Sequence, residues 1–201
     1  MKSAQSDLTA IREQLAATTR FRGFAAEAVA CIGAASLLVL LGQLAWPDRF
    51  AASDRQHVLV WGGVLLLAGA IMMVEAIGRT RREHGGMARA MLLGALRSVA
   101  PATLAGMVLT LVVLRYAPQI CWILPGTWQL LLGVIVLASF AMMPRMIVWP
   151  AIWYLASGTI TLVLAVRAGA LTPILAGGPF VVGHLLIAAI LGQTRSQAGN
   201  A

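Results

Sequence analysis

Apolar residues in this chain gather into six long runs parted by short polar stretches, and inside each run they occupy every helical face rather than one stripe. A helix needs about 20 such residues, at about 1.5 Å each, to cross about 30 Å of hydrocarbon. The runs are Phe24 to Ala45, Val58 to Gly78, Ser98 to Leu114, Gly126 to Met143, Ile147 to Val166 and Pro173 to Gly192. The third and fourth are short, but each has flanking residues that can lengthen it. The pattern predicts an all-α fold, a polytopic membrane helix bundle of six transmembrane helices over residues 24–193.

Outside the runs the period changes. Leu8, Ile11 and Leu15 recur at helical spacing among Asp7, Arg12, Glu13 and Arg20, so residues 1–23 read as an amphipathic helix lying on the membrane surface. Met87 to Arg97 reads as a similar piece, with Pro101 then marking a first helical turn after Ser98. The link "MMPRM", Met142 to Met146, is short enough to force the fourth and fifth spans into an antiparallel hairpin, and residues 194–201 form a short tail.

Composition agrees with the pattern: 60% hydrophobic residues, 11% charged, and a mean hydropathy of +0.85. A soluble domain carries about 25% charged residues. The net charge of +8 would suggest nucleic acid in a soluble chain, but here the basic residues flank apolar runs and set topology instead. With the N-terminus inside, the inner loops collect Lys2, Arg12, Arg20, Arg22, Arg79, Arg81, Arg82, Arg89, Arg97, Arg145 and Arg195, against Arg49, Arg55, Arg115 and Arg167 outside. Both termini are therefore expected in the cytoplasm. Trp46, Trp61, Trp122 and Trp128 then fall at the outer interface, and Trp149, Trp153 and Tyr154 at the inner one. No convincing cleavage site follows the first run, so it is expected to stay as an anchor. Cys31 and Cys121 have neither the number nor the spacing of a disulfide framework or zinc site.

Small residues four apart, Ala26/Ala30/Ala34, Ala102/Gly106/Thr110 and Ser157/Thr161/Ala165, are candidate packing seams. Among chemistry-bearing residues His184 stands out: eleven residues after Pro173, it lies about 16–17 Å into its span, near the midplane. It reads as a hydrogen-bonded structural imidazole served by Thr159, Thr161, Ser139 or a free carbonyl, as a proton or substrate site, or as a metal or haem ligand. A second histidine at its depth is missing, since His57 sits at the outer interface and His84 in an inner loop. Glu75 pairs either with Arg79 one turn on, or with Arg97 as a buried gate. The run "GRTRREHGG", with Arg79, Arg81 and Arg82, and Arg89 beyond it, reads as a topogenic loop or as a contact for anionic lipid or a partner. Met72, Met73, Met142, Met143 and Met146 lack a Cys or His at ligand spacing, so no metal site is expected. Walker, Gly-x-Ser-x-Gly, His-Glu-x-x-His and Cys-x-x-Cys motifs do not occur, and loops of about a dozen residues leave no room for a catalytic domain.

Three stretches, "DLTAIREQLAATTRF", "WQLLLGVIVLASF" with "AIWYLASGTITLVLA", and "GGPFVVGHLLIAAI", together resemble a family of small bacterial six-helix inner-membrane proteins of no established activity. Thr19, Arg20, Phe21, Gly133, Gly158 and the set Gly178/Phe180/His184 carry the resemblance. The chain departs from that pattern at "AAEA" after Phe24 and at Pro179. The resemblance implies the fold and a bacterial inner-membrane location. The expected function is that of a non-enzymatic accessory or partner-binding subunit without cofactor, working with lipid, another membrane or cytosolic protein, or a second copy, and not with nucleic acid. The alternative is a small transporter or channel with a midplane site around His184, Glu75 and Arg97, and a weaker third reading is a redox anchor binding haem or quinone.

Overall fold

Six helices carry the computed structural model, which describes residues 26–82, 86–140 and 143–199. They are α1 (Ala26–Ala45), α2 (Asp54–Arg82), α3 (Gly86–Tyr116), α4 (Leu124–Ala138), α5 (Val148–Ala168) and α6 (Pro173–Gly199). A single turn, Pro47–Phe50, separates α1 from α2, and 3-10 turns at Pro118–Ile123 and Arg145–Ile147 lead into α4 and α5. Each helix, counted with its leading turn, holds a segment long and apolar enough to cross a membrane. Among the described residues there is no strand. Residues 1–25, including the predicted surface helix, lie outside the described residues.

Two boundaries differ from the sequence pattern. Helix α3 begins at Gly86, so the Met87 to Arg97 piece is continuous with the span, and Pro101 lies in its interior. The Ala, Met, Leu and Arg residues before it are strong helix formers, and a membrane helix tolerates proline at the loss of one backbone bond, here that of the Arg97 carbonyl. Helix α4 ends at Ala138 rather than Met143. The chain turns there through bonds from Ser139 N–H to the Ile135 carbonyl, at 3.1 Å, and from Ile147 N–H to the Pro144 carbonyl, at 2.9 Å.

Helices α4 and α5 form the expected hairpin and pack along their length, as do α1 and α6. Glycine makes the first contact possible. A Cβ on Gly158 would stand 2.9 Å from the Gly126 carbonyl oxygen, and one on Gly133 would stand 3.2 Å from the Ala151 carbonyl oxygen. Helices in lipid gain nothing from burying apolar surface against each other, so close backbone approach supplies the van der Waals attraction.

The second and third predicted seams are used: Ser157, Thr161 and Ala165 are buried, and Gly106 meets Leu131. The first is displaced. Ala34 is exposed, and α1 instead buries Ala26, Val29, Ile32, Gly33, Ser36, Leu40 and Gln43, a stripe that advances by three or four residues per turn. That spacing averages 3.5 residues and follows the line of contact of a left-handed pair, whereas strict steps of four drift off it.

Helix α3 sits at the periphery. Only 11% of its apolar segment is buried, against 39% in each of the α4, α5 and α6 segments. It rests mainly on α4, through Gly106 against Leu131 and a bond from Trp128 Nε1 to Thr110 Oγ1 at 2.8 Å, and touches α2 sparingly.

Candidate functional site: the polar turn of α6

Pro179 lies inside α6 and has no N–H, so the carbonyl of Leu175 four residues earlier loses its helical donor. An unpaired carbonyl in hydrocarbon costs several kcal/mol. Two neighbouring helices make up the loss. Gln129 of α4 donates its Nε2 proton to that carbonyl at 3.2 Å, and the Thr161 hydroxyl of α5 lies 3.4 Å from it. Thr161 shares its single proton with Gln129 Oε1, at 3.2 Å. One turn further, Trp153 donates from Nε1 to the Pro179 carbonyl at 3.0 Å.

His184 closes the sequence of side-chain bonds. Its Nδ1 stands 2.7 Å from the Phe180 carbonyl oxygen, which can only accept, so the neutral ring carries its proton on Nδ1. The Tyr154 hydroxyl oxygen lies 3.1 Å from the same nitrogen, with the two rings edge to face at 6.2 Å and 80°. Nε2 is left with its lone pair. It bonds to no described residue, and elsewhere Ser36 Oγ and His57 Nε2 are buried without a partner among the described residues. The expected partners behave otherwise: Thr159 and Ser139 bond back to the Leu155 and Ile135 carbonyls of their own helices, and Thr161 serves Leu175.

Two glycines of α6 seat aromatic rings. A Cβ on Gly177 would fall inside the Trp61 indole, and one on Gly183 inside the Tyr154 phenol. Phe180 lies between, stacked on Trp61 at 5.7 Å and tilted to Tyr154 at 6.5 Å. Trp61 Nε1 donates to Gln43 Oε1 of α1 at 2.9 Å, and Gln43 Nε2 donates to the Phe50 carbonyl at 2.9 Å. Trp61, Trp128 and Tyr154 are thus buried against other helices, while Trp46 and Trp149 are exposed.

The remaining predicted residues lie apart from this turn. Glu75 is half-buried on α2, Arg97 is exposed on α3, and neither bonds to His184. Arg81 and Arg82 are exposed at the end of α2, and the side chains of Arg79 and Arg89 lie outside the described residues, as does His84. No group of three or more His, Cys, Asp or Glu side chains is placed to hold a metal among the described residues.

Sequence reasoning missed Gln43, Gln129 and Tyr154. A glutamine inside an apolar run carries an amide that lipid cannot satisfy, and that cost was the available signal. No protein family, curated protein or solved structure matches the chain.

Proposed function

We propose that this is a multi-pass protein of a bacterial inner membrane, with both termini in the cytoplasm, acting by association rather than catalysis, as an accessory or partner-binding subunit. The observation that carries this reading is the inward use of its polar groups. Gln43, Gln129, Trp153, Tyr154 and Thr161 are bonded to other helices or to the α6 backbone, which leaves them as ties rather than reagents. Exposed arginines stand at both ends of the bundle; Arg81, Arg82, Arg97 and Arg145 gather at the end where α2 stops, α3 starts and α4 turns into α5. Such an end suits the anionic cytoplasmic leaflet and an acidic surface of a cytosolic or membrane partner. Native mass spectrometry after extraction in mild detergent tests this. A stoichiometric second subunit, weakened in an Arg81→Gln/Arg82→Gln variant, is the expected result, and a monomer carrying lipid alone refutes it.

A transporter or channel is the second reading, and the His184 Nε2 lone pair, unbonded among the described residues beside a proline-interrupted turn, is what favours it. In proteoliposomes such a site would lose pH-dependent flux in His184→Leu and keep part of it in Tyr154→Phe. Partner binding would survive both substitutions.

A further inference from the structure

Two apolar grooves run along α3 on either side of one residue, Leu104. The first, of about 630 Å³, is lined by Pro101, Leu104, Ala105, Val108, Leu109 and Val112. The second, of about 250 Å³, lies between α3 and Met73 of α2 and runs from Leu96 past Ala100, Thr103 and Leu104 to Met107. Both exist because Ala100, Ala105 and Pro101 are short beside the Leu104 ridge, and because α2 and α3 pack sparingly. Each extends over eleven residues, about 16 Å, but they are staggered: the second ends at Met107, about 15 Å beyond Arg97 and close to the acyl depth of one leaflet, while the first starts at Pro101 and runs on to Val112, about 22 Å beyond it. Neither offers a free donor from its hydroxyl, since Thr103 bonds back to the Val99 carbonyl at 3.1 Å.

Arg97 is exposed seven residues before Leu104, about 10 Å along the helix, where the ridge between the grooves begins. Arg81 and Arg82 are exposed at the same end of the bundle. Two chain-length grooves that share a ridge, headed by a cation, match the parts of one lipid: two acyl chains and an anionic phosphate. We infer that α3 holds a diacyl phospholipid with an anionic headgroup, its chains astride Leu104 and its phosphate on the Arg97 guanidinium. The inference rests on the reading that this end of the bundle meets the anionic leaflet, and it names the lipid that end selects. The bound lipid fills the space between α2 and α3 that protein leaves open.

The test is native mass spectrometry of the purified full chain, titrated with diacyl phosphatidylglycerol, diacyl phosphatidylcholine and single-chain lysophosphatidylglycerol. The expected result is one phosphatidylglycerol retained per chain, with about fivefold preference over phosphatidylcholine, the weight of one arginine at an anionic surface. Arg97→Gln should abolish that preference, Ala105→Trp should reduce retention of both diacyl lipids, and the lyso form should bind more weakly than the diacyl form. Arg145→Gln, at the same end but away from the grooves, should change nothing. Equal loss in Arg97→Gln and Arg145→Gln, equal retention of the two diacyl lipids, or displacement by inorganic phosphate would overturn the inference. Loss of a protein partner with lipid selection intact counts against the proposed function alone.

Discussion

Replacing Gly177 by alanine adds one methyl group at the most crowded of the described glycines, and its cost can be worked from the contacts around it. The new Cβ would occupy the volume of the Trp61 indole ring, whose face cannot swing aside as the end of a flexible side chain could. Trp61 is fully buried, stacked on Phe180 at 5.7 Å and bonded to Gln43 at 2.9 Å. Overpacking of this kind costs about 1–3 kcal/mol. Moving the indole also strands the buried Gln43 amide and the indole N–H, a further cost of about 1–3 kcal/mol. Their sum centres near 4 kcal/mol, which for a chain of this size lowers the unfolding midpoint by about 8–16 °C. Thermal unfolding in detergent, followed by tryptophan fluorescence, reads the shift. Gly178→Ala is the control: its Cβ meets only Ile174 Cγ2 at 3.6 Å, so the helix-propensity gain of about 0.5–1 kcal/mol is left uncompensated by clash. A second change that shrinks the ring, Trp61→Leu, should cost less in the Gly177→Ala background than alone. Equal midpoints for Gly177→Ala and Gly178→Ala would refute the seat.

The proline-opened turn makes a paired prediction. Gln129→Leu should lower stability by about 1–3 kcal/mol, because the Leu175 carbonyl exchanges the Gln129 amide for the Thr161 hydroxyl alone, which stands 3.4 Å away. Adding Pro179→Ala returns a helical N–H to that carbonyl, and most of the loss should be recovered in the same unfolding assay. At the opposite end of the bundle, Asp54 Oδ1 accepts the Leu171 N–H at 2.9 Å and ties the start of α2 to the α5–α6 link. Asp54→Ala should cost about 1–2 kcal/mol and raise hydrogen exchange at the 169–172 amides selectively; uniform exchange would refute the tie.

Hydropathy alone located the six apolar segments, because a crossing helix is defined by composition and length, and both can be read residue by residue. The α4–α5 hairpin was equally legible, since a link as short as Met142 to Met146 permits one geometry. Depth and partner choice were not. Trp61 and Tyr154 have the interfacial signature of any aromatic residue near a helix end, and only the opposing glycines Gly177 and Gly183, distant in sequence, turn them inward. His184 was visible as an anomaly, while its partner Tyr154 is set by the crossing of α5 and α6. The contact stripe of α1 was missed by about half a residue per turn, because steps of four and alternating steps of three and four differ only over several turns. Pro179 read as a departure from a motif; its freed carbonyl becomes meaningful only once Gln129 and Thr161 are seen against it.

The pairing of α1 with α6 has a consequence for biosynthesis. A ribosome adds about 5–20 residues per second, so the 127 residues between Ala45 and Pro173 mean about 6–25 s in which α1 exists before its partner is made. Throughout that interval Ser36 and Gln43, both buried in the finished bundle, face lipid or whatever machinery shelters them. The α4–α5 hairpin, by contrast, closes as soon as it is made. The α1–α6 contact therefore waits on α6, whereas the α4–α5 contact needs only the next helix in sequence.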